Sequence, residues 1–228
     1  MAKDQKRRQA KIMKKKRKDK TRAQKQRKTR FVASAVSIIR KARDFPLRNC
    51  WITSEWDTSG NGIASVVVTR EQPNGLITWG AYLVDLFCLG VKDATANANF
   101  LESEIRDLLL SGMMVGGEAE EIAPELAHQI IYQAIDYAAQ FGFKPHRDFK
   151  LARYVLEPRG AFEETHPITF GRNGKPLFIP GPHDNVEAIL ARLNENPGPG
   201  NYDYLINISP FDEWDDLADF DEDEYDDA

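Results

Sequence analysis

Four side chains capable of acid–base or metal-ligating chemistry stand in unusual surroundings: Asp85, His146, Asp148 and His183. Asp85 interrupts "WGAYLVDLFCLGVKDA" (79–94), a stretch that is apolar on both faces when read with the period of two of a strand. An ionised carboxylate in such a setting must be paired, hydrogen-bonded or metal-bound, because isolated burial of its charge is costly. Asp93, or a carboxylate from a helix, could join it in an acidic site. "GFKPHRDF" (142–149) places His146, Arg147 and Asp148 at the start of a helix, where they could transfer a proton or contact a phosphate. The plainer alternative is that Asp148 caps the helix and His146 is merely exposed. "GRNGKPLFIPGPHDN" (171–185) sets Arg172 and Lys175 around a tight turn and starts a helix at His183-Asp184-Asn185, where free amides favour anions. Together Asp85, His146, Asp148 and His183 make the best case for a hydrolase, including a metal-dependent nuclease.

Several familiar chemistries have no basis in the sequence. There is no Gly-x-Ser-x-Gly elbow, His-Glu-x-x-His helix, P-loop spacing or Gly-x-Gly-x-x-Gly turn. The two cysteines, Cys50 and Cys88, lie in apolar runs and read as free buried thiols of a reducing compartment. His128 falls near the apolar stripe of a helix and reads as a packed, satisfied residue. No apolar leader opens the chain and no run of 18 apolar residues occurs, so the expected setting is cytoplasmic.

Charge points elsewhere. The formal net charge of −4 conceals two opposed blocks. Residues 1–30 hold 16 Lys/Arg against Asp4 and Asp19, whereas residues 211–228 hold 11 Asp/Glu and no basic residue. The body between them carries −7. Such blocks mark interaction tails. The arm, densest at Lys14, Lys15, Lys16, Arg17, Lys18, Lys20 and Arg22, has the footprint of a phosphate-backbone binder. It contains no aromatic residue, so base stacking is not expected from it. Only Ile12 and Met13 are large and apolar there, which makes a membrane surface the poorer partner. In the acidic tail, Phe211, Trp214, Leu217 and Phe220 recur every three residues among acids, as in segments that fold onto a basic or apolar groove. RNA or the ribosome is the leading partner. A protein-interaction module with charged tails is the other non-enzymatic reading.

The elements that position these residues follow from periodicity. The spacing predicts a helix over 31–44 ended by Pro46, a strand over 48–54, and a hairpin about Asn74-Gly75. A two-residue turn there would set Ala64 opposite Asp85, with Gly62 diagonal to it. The strand continuing through Asp85 to Val91 should lie inside the sheet, since both its faces are apolar. Helices are expected over 97–111, from Pro124 to a Gly142 cap, over 147–156 and over 183–194. A second hairpin is expected about 172–174, and a last strand over 202–208. Strands precede helices, which precede further strands, so the fold class is α+β rather than a doubly wound parallel sheet. The expected organisation is a basic arm (1–30), a single α+β domain (31–210) and an acidic tail (211–228).

"YLVDLFCLGVKDA", "GFKPHRDF" and "GRNGKPLFIPGPHDN" resemble a widespread group of bacterial proteins without an established activity. The similarity covers roughly residues 50–208. It implies a bacterial cytoplasmic domain and brings no cofactor or catalytic assignment with it.

Overall fold

The computed structural model describes residues 34–111, 114–115 and 117–205. The seven arm cations named above and the acidic tail lie outside these residues. Helix α1 spans 34–40 and continues into a 3-10 turn, Ala42–Asp44. Strands β1 (Leu47–Thr53), β2 (Ile63–Glu71), β3 (Ile77–Asp85) and β4 (Gly90–Phe100) follow, each turning back on the one before. After α2 (Glu102–Leu110) the chain adds β5 (Ala119–Ile122) beyond β1. The result is a five-stranded, wholly antiparallel sheet in the order β4-β3-β2-β1-β5. Helices α3 (Pro124–Gln140), α4 (Phe149–Ala152) and α5 (Val186–Glu195) come later, with a small parallel pair, β6 (Leu177–Phe178) and β7 (Asp203–Tyr204). The class is α+β, with helices packed on an antiparallel sheet.

Strand alternation separates two cores. Cys50, Ile52, Val66, Val68, Tyr82 and Val84 point to one face and meet Ile130, Ile131 and Ala134 of α3, with Ala35 and Ile39 of α1. Ile77 and Trp79 point to the other face and meet Ile105 of α2. Proline at the first turn of α3 costs nothing, because its missing N–H has no helical partner there. The α1 helix is pinned by its buried Ala35 and Ile39, so residue 34 leads into a segment fixed on the body.

Arg70 is a buried charge, 1% exposed, on the α3 face of β2. It donates to the carbonyls of Val155 and Phe45 and places Nη2 2.8 Å from Glu157 Oε1. Tyr82 donates its hydroxyl to the Ala152 carbonyl at 2.9 Å. These two strand residues tie the irregular 149–157 segment to the sheet.

The hairpin about Asn74-Gly75 is present, but its register is one residue from the expected one. Gly75 N–H donates to Gln72 O, and Gln72 N–H donates to Leu76 O. The loop is therefore three residues long: Pro73 takes the first inner position of a type I turn, and Gly75 follows at φ +78°. Proline favours that position, and glycine alone adopts the positive φ without strain. Ile63, not Ala64, stands opposite Asp85. A second correction concerns β3, which ends at Asp85 rather than running to Val91. Residues 86–89 form a turn, and Asp85 pairs with Gly90 at the start of β4.

Other bounds also differ. Residues 90–100 are strand, and α2 begins only at Glu102, whose turn is closed by Glu104 accepting from the Leu101 amide at 2.7 Å. The helix expected over 147–156 is one turn, Phe149–Ala152. The expected second hairpin reduces to a single antiparallel bridge, Arg172 with Lys175, and β6 pairs instead with β7.

Candidate functional site

The Asp85 turn organises a cleft of about 460 Å³ at one end of the sheet. The Phe87 amide donates to Asp85 Oδ1 at 2.8 Å and the Cys88 amide at 3.1 Å. This is the local carboxylate-to-backbone bond that lets Asp replace a turn's own carbonyl. The turn in turn fixes its neighbours. Leu86 N–H donates to Gly62 O, Gly171 N–H to Leu86 O, and Leu177 N–H to Phe87 O. Three distant segments therefore meet at one turn: the 57–62 loop, Gly171-Arg172, and the strand leading to Ile179.

The 57–62 loop is held by Asp57, whose Oδ1 accepts from the Ser59 hydroxyl at 2.6 Å and the Gly60 amide at 3.1 Å. The Ser59 hydroxyl above all, helped by the Gly60 and Ser59 amides, holds the Asp57 carboxyl below its ordinary range, against the opposing effect of burial. Lys92 enters through a β-bulge. Leu83 pairs with Asp93 and Val84 with Val91, so Lys92 is the extra residue on β4, and a bulge re-aims the side chain it carries. Its Nζ donates to Asp184 Oδ2 at 2.6 Å, and the same oxygen accepts from the Gly181 amide at 2.8 Å. A Cβ on Gly181 would lie 3.2 Å from both Lys92 Nζ and Asp184 Oδ2, so a side chain there would crowd the pair.

Asp85 is 3% exposed and lines the cleft with Lys92, Phe87 and Leu83. Burial pushes its carboxyl up to about 6, opposed by the Lys92 charge and by the amides of Phe87, Cys88 and Leu89. The Phe87 and Cys88 amides both bond Oδ1, so Oδ2 is the carboxylate oxygen that opens onto the cleft. Arg172 borders the same cleft, exposed and without a side-chain hydrogen bond among the described residues.

The four expected catalytic residues occupy different settings. No histidine lines the Asp85 cleft. His146 sits at the outer edge of β4, where its N–H donates to Val91 O. Its Nδ1 lies 3.3 Å from Asp93 Oδ1 and 3.8 Å from Asp148 Oδ2, but outside hydrogen-bond geometry. Asp148 occupies the N-cap position of α4, yet its side chain makes no capping bond. His183 is exposed beside Asp184, and the side chain that caps α5 is Asn185, accepting from the Ala188 amide at 3.1 Å. Among the described residues no three His, Cys, Asp or Glu side chains are grouped closely enough to hold a metal ion.

His128 is satisfied on both ring nitrogens: Nδ1 lies 2.6 Å from Pro124 O, and Nε2 accepts from the Glu157 amide at 2.8 Å. That pattern defines a neutral tautomer, and burial lowers the imidazole pKa further. Both thiols are free and buried; burial pushes Cys50 up to about 12 and raises Cys88 as well. Sequence reasoning passed over Lys92 and Arg172 as parts of one site. Only the bulge and the Gly171–Leu86 bond bring them to Asp85.

The fold class and the cleft define an α+β domain with a pocket of mixed apolar and charged lining. No protein-family model, curated protein or solved structure matches the chain. Among the described residues no helix is long and apolar enough to cross a membrane.

Proposed function

We propose that the protein binds RNA, with residues 1–30 neutralising the phosphate backbone and the α+β body fixing the arm in place. The observation that carries this reading is the segregation of charge: 16 Lys/Arg against two Asp in 30 residues, beside a body of −7. Lys14, Lys15, Lys16, Arg17, Lys18, Lys20 and Arg22 are the principal phosphate contacts. The described residues that follow the arm in the chain continue the pattern. Arg40 and Lys41 at the end of α1 are exposed. Arg43 and Arg153 both rest on the Tyr154 ring, 5.8 and 5.5 Å from its centroid. Cations interleaved with an aromatic ring suit a nucleic-acid strand. The acidic tail competes with RNA for the arm, and two free buried thiols fit a reducing, cytoplasmic setting.

A pull-down of the full chain, with and without nuclease, tests the proposal. Bound material that disappears on nuclease treatment is the expected result. A protein partner retained after nuclease treatment would replace it with the interaction-module reading.

A further inference from the structure

The cleft over Asp85 is built as a ligand site rather than as a packing defect. Its volume, about 460 Å³, lies within the range of small-molecule pockets. The walls are apolar, from Ile63, Leu83, Phe87 and Ile179, and a few polar groups converge between them. One of those is Asp85, whose Phe87 and Cys88 amide bonds both fall on Oδ1, so that Oδ2 is the oxygen open to the cleft. A carboxylate oxygen that opens onto the cleft can take a ligand N–H in place of solvent. The other is Arg172 at the rim, with its guanidinium uncommitted among the described residues. Lys92 cannot take the anion as readily, since Asp184 already holds its Nζ at 2.6 Å. A ligand matching this arrangement has a flat apolar ring, an N–H donor at the ring's edge, and an anion several ångströms away.

We propose that this cleft binds a nucleotide, the exocyclic amino group of its base donating to Asp85 Oδ2, the ring packing against Ile63, Leu83 and Ile179, and the phosphate meeting Arg172. The proposal deepens the RNA reading and rests on it for the choice of ligand: the arm holds the backbone, and the cleft takes an unstacked base. The unstacked bases of single-stranded RNA are read by hydrogen bonds to their edges. A free nucleotide offers the same chemistry.

Calorimetric titration of the full chain at pH 8 tests it, with GMP, AMP, CMP, UMP and ribose 5-phosphate as probes and a short single-stranded RNA as a further arm. Uridine carries a carbonyl where cytidine carries its amino group. At least one amino-bearing nucleotide should bind about tenfold or more tightly than UMP and ribose 5-phosphate, the worth of one hydrogen bond to a charged group. Asp85→Asn keeps an oxygen for the Phe87 and Cys88 amides but turns an NH₂ toward the cleft, so the preference over UMP should vanish. Arg172→Ala alters an exposed side chain and should weaken the nucleotide but not its nucleoside. Ribose 5-phosphate binding as tightly as the nucleotides, D85N binding like the native chain, or no nucleotide binding would overturn the proposal. If RNA binds with a steep salt dependence while no nucleotide shows D85N-sensitive binding, the cleft proposal fails and the arm reading stands. The reverse pattern removes the arm reading alone. RNA binding sensitive to D85N, alongside nucleotide binding, identifies a base in a strand as the ligand's source.

Discussion

The Asp85 turn makes a quantitative prediction about pH. The folded carboxyl titrates at about 6 instead of its ordinary 3.8, chiefly because it is buried. An acid with a raised folded pKa binds more protons in the folded state, so stability falls as pH rises between those two values. Below about 3.8 both states are protonated and nothing is lost. Above about 6 both are ionised and the loss is constant. At about 1.4 kcal/mol per unit of pKa, the full loss is about 3 kcal/mol, of which about 1 has already appeared by pH 4.5. Asp85→Asn keeps the acceptor for the Phe87 and Cys88 amides and removes the titration. Urea unfolding of the native chain and D85N at pH 4.5 and pH 8 isolates the effect, because every other titrating group is common to both proteins. The stability of D85N relative to the native chain should increase by about 2 kcal/mol between the two pH values. An unchanged or reversed difference would refute the idea that Asp85 is a desolvated carboxylate in the folded protein.

Three other outcomes follow from named contacts. Arg70→Met leaves two buried carbonyls without their donor and a part-exposed Glu157 without its partner, and urea unfolding should show a loss of about 2–4 kcal/mol; a loss below about 1 kcal/mol would mean the 149–157 segment is held by other means. Gly62 stands at φ +67° with its missing Cβ 2.3 Å from the Phe87 ring, so Gly62→Ala should lower stability by about 2 kcal/mol or more in the same assay. Cys50 and Cys88 should resist a thiol-specific reagent in the folded protein and react fully in denaturant, because both are buried and their thiolates are disfavoured; rapid labelling of either in native buffer would contradict its placement.

The order of β1 to β3, the interior position of β3 and the long α3 helix were legible because their apolar periods are long and their punctuation is strong: Asn74-Gly75, Pro124 and Gly142. What failed did so for local reasons. The register slipped by one because Pro73 favours a type I turn, which lengthens the loop to three residues. The end of β3 was hidden because its turn, Leu86–Leu89, is made of apolar residues; the turn signal is the Asp85 side chain itself. The last residues of β4, 97–100, fall within the helix expected over 97–111, and pairing with β3 overrides that reading. The structural reading of Asp85, a niche supplied with amide donors, fits one oxygen and leaves the other facing a cleft. Lys92 and Arg172 carry no signal of their own, since a bulge and one backbone bond 85 residues apart in the chain bring them to Asp85.

The central claim is that the arm binds RNA backbone. Fluorescence anisotropy with a labelled RNA, for the full chain and for the chain lacking residues 1–30, tests it most directly when repeated at 50 and 200 mM salt. If the arm neutralises about 6–10 phosphates, affinity of the full chain should fall by roughly 10³–10⁵ over that range, and the truncated chain should bind weakly with a nearly flat dependence. Equal affinity and equal salt slope for the two proteins would contradict the account.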